Sequence, residues 1–290
     1  MHQLLAETLT NGPVVTDGAW GTQLQARGLT AGQCPDAWNL SFPDRVAQVA
    51  RAYVDAGSQV LLTNTFRANR LALAGSDLAG QVGAINRAGV EISRRAAGDQ
   101  TRVFGSLGPS GKMLFTGEVT ADELRAAFAE QARALAAGGA DALVLETMSD
   151  LAEARLALAA ARDTGLPVVV SMVFDSGTEL DRTMMGTTPE QAAGALTEAG
   201  ADVIGANCGQ GAASYLAVCR RLRAATDRPI WIKPNAGTPK IQDGRTVYDT
   251  TPQQFAAHAV GLVEAGAQFV GGCCGTGPEF VRHLHEAITR

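Results

Sequence analysis

Four times along the chain a glycine among small residues is followed by an apolar run. Each time, seven positions after the glycine, comes a residue able to do chemistry. Ala56-Gly57-Ser58 leads through Val60-Leu61-Leu62 to Asn64. Gly138-Gly139-Ala140 leads through Leu143-Val144-Leu145 to Glu146. Ala199-Gly200-Ala201 leads through Val203-Ile204 to Asn207, with Cys208 next. Ala265-Gly266-Ala267 leads through Phe269-Val270 to Cys273, with Cys274 next. Glycine suits the left-handed turn that stops a helix, and an unbroken apolar run suits a strand covered on both faces. The unit therefore reads as helix end, buried parallel strand, functional strand end.

The gaps between copies are each long enough for two βα units. The additional strands are Val14-Val15-Thr16, Val103 to Ser106, Val168 to Phe174 and Ile230 to Lys233. Helix starts fall between them. Thr120-Ala121-Asp122-Glu123, Thr188-Pro189-Glu190-Gln191 and Thr251-Pro252-Gln253-Gln254 read as capping boxes, and Ser149-Asp150 opens the helix after Glu146. Eight βα units with no linker predict an α/β chain forming one (β/α)8 TIM barrel domain over residues 1–290. No Gly-x-Gly-x-x-Gly follows the first strand, which argues against a doubly wound dinucleotide fold.

Composition narrows the function. With 24 Lys+Arg against 29 Asp+Glu the net charge is −5, without the basic footprint of nucleic-acid binding. Five cysteines, two of them adjacent, do not form a secreted disulfide framework. The start lacks a basic, apolar leader, and no apolar run reaches membrane-spanning length. A cytoplasmic protein with reduced thiols is expected, with no membrane or nucleic-acid partner.

In such barrels the active site lies at the C-terminal strand ends. Those ends carry Asp17, Asn64, Ser106, Glu146, Asp175, Asn207-Cys208, Asn235 and Cys273-Cys274. Strands 6 and 8 are separated by one strand, so three thiols converge. They read either as ligands of a catalytic zinc with one open position or as buried cysteines packing as small hydrophobes. The lone Cys34 and Cys219 are read as packing. Three thiolates would make the metal a poor Lewis acid toward water. They suit it to holding a substrate thiolate that attacks a methyl group.

Asp17-Gly18-Ala19-Trp20-Gly21-Thr22, Asn64-Thr65-Phe66, Gly108-Pro109-Ser110-Gly111, Glu146-Thr147-Met148, Ala206-Asn207-Cys208-Gly209 and Gly271-Gly272-Cys273-Cys274-Gly275-Thr276 resemble the homocysteine S-methyltransferase family. The resemblance runs through nearly the whole chain. It implies Zn²⁺ held by Cys208, Cys273 and Cys274, and methyl transfer to the zinc-bound thiolate of homocysteine, giving methionine. It also implies substrate binding by Asp17 and Glu146, chiefly at the amino group. The Gly18-Ala19 turn could offer N–H groups to the substrate carboxylate; Asn235 reads as orienting substrate, sitting beside the metal or holding a loop together, and Trp20 and Phe66 as walling the methyl-donor side or simply packing.

The resemblance closest in outline is to stand-alone bacterial members. Betaine-using members carry Tyr where this chain has Thr147, and they have a C-terminal extension beyond a point matching Arg290. The donor stays open among a small molecule (methyltetrahydrofolate, betaine or another) and a separate methyl-corrinoid protein, and a homo-oligomer is compatible. Two other readings remain. Lys233, two residues before Asn235, could serve a Schiff-base aldolase barrel, its alternative being a lysine paired with a barrel carboxylate. The chain could also be a non-catalytic zinc- or homocysteine-binding protein.

Overall fold

The computed structural model describes residues 2–242 and 245–289. Eight parallel strands form the barrel: β1 (Val14–Val15), β2 (Val60–Leu62), β3 (Arg102–Leu107), β4 (Ala142–Met148), β5 (Val168–Met172), β6 (Val203–Gly211), β7 (Ile230–Asn235) and β10 (Ala267–Val270). Between β7 and β10 lies a hairpin of β8 (Lys240–Gln242) and β9 (Arg245–Val247). Around the barrel the order is β1, β10, β7, β6, β5, β4, β3, β2, and a parallel bridge from Thr16 to Val60 joins the outer two. This is a (β/α)8 barrel.

Its repeats work as their sequence implies. Gly57, Gly139, Gly200 and Gly266 take φ values of 100°, 91°, 89° and 104°, just past helices ending at Asp55, Ala137, Glu198 and Glu264. A side chain is disfavoured in that left-handed region. The turn lets each helix stop and the chain enter the sheet after two to four intervening residues. Thr120, Thr188 and Thr251 each form a complete capping box, and Asp150 caps the helix Leu151–Arg162. Each cap contributes about 1 kcal/mol.

The barrel interior changes character along its axis. Side chains alternate along a strand, so a residue and the one two further on face the same way. At the lower level the inward residues are apolar: Val60, Phe104, Val144, Val169, Val203, Trp231 and Phe269 form one cluster, with Leu5 of the helix Gln3–Thr8 packed into it. Trp231 lies between Phe104 and Phe269, at centroid distances of 6.2 and 5.4 Å. It fits because Gly205 faces it; a Cβ there would lie 2.1 Å from the Trp231 carbonyl oxygen. Two residues further along, the same strands present Ser106, Glu146, Ser171 and Lys233, and four residues beyond Val203 comes Asn207, all buried. An aromatic floor thus supports a polar upper layer. Among the described residues no helix is long and apolar enough to cross a membrane.

Candidate active site

Above the polar layer, at the C-terminal strand ends, lies a cavity of about 340 Å³. Cys208, Cys273 and Cys274 line one side, Glu146 and Lys233 the floor, and Trp20 and Phe66 the walls.

The thiol side is made by backbone that has left the strand. Cys208 has φ 65° and Gly209 φ 61°, and the β6–β7 register shifts between Cys208 and Gly211. Cys273 and Cys274 follow β10. The Cys273 N–H donates to the Pro234 carbonyl at 2.7 Å, and the Gly272 N–H donates to the Asp17 carbonyl at 3.0 Å. Gly271 and Gly272 are required by close approach to the protein's own chain: a Cβ would lie 1.9 Å from Thr16 Oγ1 or 2.2 Å from Thr276 Oγ1, respectively.

The result is that the three Sγ atoms all lie within 4.8 Å of one another, half-buried and unbridged. Zn–S bonds of about 2.3 Å place sulfur ligands roughly 3.8 Å apart in a tetrahedron, so the donor set fits one zinc ion. Hydrogen bonding among the thiols holds Cys208 well below the usual thiol range and pushes Cys273 and Cys274 up, Cys274 to about 11. Cys34 and Cys219 lie elsewhere. The Cys34 thiol is 3.6 Å from Asp36, and Cys219 is buried against the Leu262 carbonyl.

Asn207 holds the turn. Its Oδ1 accepts from the Thr147 N–H (2.8 Å) and the Ser171 hydroxyl (2.7 Å), and its Nδ2 donates to Thr147 Oγ1 (2.7 Å). Thr147 itself has φ 61°, an unfavourable conformation for a β-branched residue that costs about 1–3 kcal/mol. One amide therefore braces two left-handed residues, Thr147 directly and Cys208 as its chain neighbour. Tyr215 adds a hydrogen bond from its hydroxyl to the Asn207 carbonyl, 3.0 Å.

The charged floor is built differently. Asp17 is fully buried and does not line the cavity. One carboxylate oxygen accepts from Lys233 Nζ at 2.5 Å; the other accepts from the Leu62 N–H and Trp20 Nε1, both at 2.8 Å. The lysine is thus paired with a barrel carboxylate, as one of the two readings of Lys233 anticipates.

Among the described residues Glu146 has a single side-chain partner, the Ser106 hydroxyl, which donates to Oε1. Burial pushes its carboxyl above the usual range, against the opposing effects of the Lys233 charge and the Ser106 hydrogen bond. Of the Gly18-Ala19 turn, the Ala19 N–H is already committed to the Thr276 carbonyl at 2.9 Å. Asn235 is not among the cavity-lining residues; its Nδ2 donates to the Gly209 carbonyl at 3.0 Å, bracing the Cys208 loop, and its side chain is also within hydrogen-bonding reach of the Cys208 thiol. Asn64 lines the cavity, but its amide donates to the Pro35 carbonyl and to Asn39 Oδ1.

The sequence did not identify the bracing role of Asn207 or the link from Ser106 to Glu146. A signal for the latter exists, since Phe104 and Ser106 share a strand face with alternation two. Tyr248 was also missed. It packs over Gly275, where a Cβ would lie 2.4 Å from its ring.

The chain is thus a (β/α)8 barrel with three thiols and an acid at its C-terminal mouth. The homocysteine S-methyltransferase family model matches residues 14–288. The chain is 33% identical to the methionine synthases of Mycobacterium leprae (306 residues, 99% of this chain) and Mycobacterium tuberculosis (304 residues, 98%). It spans about a quarter of those relatives' length, 25% in each case. The metallated homocysteine methyltransferase MmuM of Escherichia coli has the same fold, with TM-score 0.80, 24% identity and 98% of each chain covered. The chain belongs to the homocysteine S-methyltransferase family.

Proposed function

We propose that this protein transfers a methyl group to the sulfur of homocysteine, giving methionine, at a zinc site formed by Cys208, Cys273 and Cys274. The observation that carries the proposal is the convergence of these three thiols within 4.8 Å beside a buried, under-partnered acid. Zinc held by three thiolates would favour the thiolate form of a fourth sulfur while leaving electron density on it.

The chain's residues do the rest. Glu146 receives the substrate ammonium, its one hydrogen-bond partner among the described residues leaving the carboxylate able to accept more. Gly18 lies in the cavity wall, and a Cβ there would lie 2.6 Å from the Thr276 carbonyl oxygen, so glycine lets this turn pack against the Thr276 segment. Asp17 acts from behind that wall by fixing Lys233 and Trp20. Asn235 holds the Cys208 turn. Trp20 and Phe66 keep water from the donor side. The methyl group then moves in one in-line displacement between donor and sulfur; the protein contributes position and a low-water environment.

The test is methionine formation by metal-analysed protein from homocysteine and each candidate donor: methyltetrahydrofolate, betaine, S-methylmethionine, S-adenosylmethionine and methylcobalamin, free or protein-bound. Methionine with one zinc per chain is expected. Absence of both zinc and homocysteine binding would overturn the proposal.

A further inference from the structure

Three protein sulfurs and one substrate sulfur would share the zinc ion, and each of the four is a nucleophile toward a methyl donor. A methylated cysteine is a neutral thioether and a weak ligand, so a single misdirected transfer would dismantle the site. The surroundings of each protein thiol therefore bear on where the methyl group goes.

Each thiol has a hydrogen-bond donor of its own. The Gly209 N–H reaches Cys208. Asn207 Nδ2 donates to Cys273 Sγ at 3.9 Å. The Tyr248 hydroxyl is within hydrogen-bonding reach of Cys274. Neither Asn207 nor Tyr248 lines the cavity, so these donors serve protein sulfurs and not a ligand entering through the mouth. Tyr248 is held for its contact. It directly follows β9, and its ring lies against Gly275, which has φ 82° and no room for a side chain: a Cβ there would lie 2.4 Å from the ring. A hydrogen bond draws charge from a thiolate, and a less basic thiolate is a less nucleophilic one.

We infer that Tyr248 directs methylation away from the protein's own zinc ligands: its hydroxyl donates to the Cys274 sulfur, as Asn207 does to Cys273, and leaves the substrate sulfur the most nucleophilic of the four. This rests on the proposed function and deepens it. Tyr248 acts through Cys274, as a positioning residue, and the hairpin β8–β9 is the element that delivers it.

Methyl iodide, with no homocysteine present, tests this on the zinc-loaded protein. The Cys274 sulfur attacks the methyl carbon; an S–C bond forms, the C–I bond breaks, and iodide leaves with its electron pair. Peptide mass spectrometry reads the initial methylation rate of each cysteine, and metal analysis reads the zinc. In Tyr248→Phe, Cys274 should be methylated about fivefold faster than in wild type, the loss of one hydrogen bond to a charged group felt at just under half strength in nucleophilicity. Cys208 and Cys273 should keep their rates, and the starting zinc content should match wild type. With cobalt in place of zinc, the sulfur-to-metal charge-transfer band of Tyr248→Phe should move to longer wavelength, because a thiolate without its hydrogen bond is the better electron donor. Tyr248→Ala removes the ring as well. If bulk alone shields Cys274, Tyr248→Phe will match wild type and only Tyr248→Ala will speed methylation, which overturns the inference. An equal rise at all three cysteines, or loss of zinc from Tyr248→Phe, overturns it too. Wild-type protein that holds no zinc overturns the proposed function along with it, whereas an unchanged Cys274 rate in zinc-loaded Tyr248→Phe overturns this inference alone.

Discussion

The two sides of the mouth are held in place by different means. On the thiol side the backbone itself is bent: Cys208 and Gly209 lie in the left-handed region, the β6–β7 register slips, and Cys273 and Cys274 sit beyond the end of β10. On the charged side Lys233 lies within a regular strand and Glu146 lies where β4 stops being regular, just before the left-handed Thr147 and the β4–β5 register shift, and both face inward by alternation above an aromatic floor. The difference matches the chemistry proposed for each. Three sulfurs from two segments cannot meet while both segments remain straight, because neighbouring side chains in a strand point to opposite faces. A carboxylate that receives a ligand need only face inward at the right depth. Bent backbone makes the thiol side a matter of turn integrity, and inward-facing strand positions make the charged side more a matter of side-chain identity.

The comparison is broken most sharply by removing one thiol. Cys208→Ala, Cys273→Ala or Cys274→Ala should each abolish zinc retention and lower turnover about a thousandfold or more, since a site fixed by three ligands loses its coordination with any of them. Metal analysis after dialysis, with turnover alongside, checks this; a variant that keeps both would show that its thiol is not a ligand. On the charged side the phenotype should differ in kind. Glu146→Gln should raise KM for homocysteine about a hundredfold with zinc content unchanged, because it removes a charge-assisted contact and not a ligand. Loss of zinc in that variant would mean the two sides are not separable.

Asn207 joins the sides, so its removal should fall between these extremes. Asn207→Ala unbraces Thr147 and leaves the Ser171 hydroxyl without its acceptor. A stability loss of about 2 kcal/mol is expected, with roughly tenfold weaker zinc retention, read by denaturant melts and competition with a chelator. An unchanged metal affinity would place the turn's support elsewhere. The smallest effect comes from pH. Burial raises the Glu146 carboxyl above its usual range. It therefore takes up a proton at higher pH than an ordinary Glu, and the neutral form no longer attracts the substrate ammonium. KM for homocysteine should rise severalfold as pH falls through that raised range. Glu146→Gln should flatten this dependence; a profile that persists in the variant would assign it to another group.

Much of this was legible from the spacing of the glycines, because a helix stop and the strand after it are local events. The seven-residue interval located four strand ends equally well: Asn64, Glu146, Asn207 and Cys273. It did not say which of these polar groups are already spent. Asn64 is tied to Pro35 and Asn39, and Asn207 to Thr147 and Ser171, whereas Glu146 keeps a carboxylate largely open. Those partners lie 25 to 60 residues away in sequence, and Lys233 lies 216 residues from Asp17. Such pairings depend on barrel closure, which no local pattern encodes. Asp17 shows the limit most clearly. Its Asp-Gly setting marked it correctly as a strand end, but its carboxylate lies in the seam between β1 and β2, accepting from the Leu62 N–H. The hairpin β8–β9 went unanticipated for another reason. Lys240, Ile241 and Gln242 are all exposed, so no buried pattern distinguishes them from a loop.

The most direct test of the central claim is zinc-edge X-ray absorption on the zinc-loaded protein, before and after homocysteine is added. The account predicts three sulfur ligands at about 2.3 Å in the free protein and a fourth when homocysteine binds. Fewer than three sulfurs, or a sulfur count that homocysteine leaves unchanged, would contradict it.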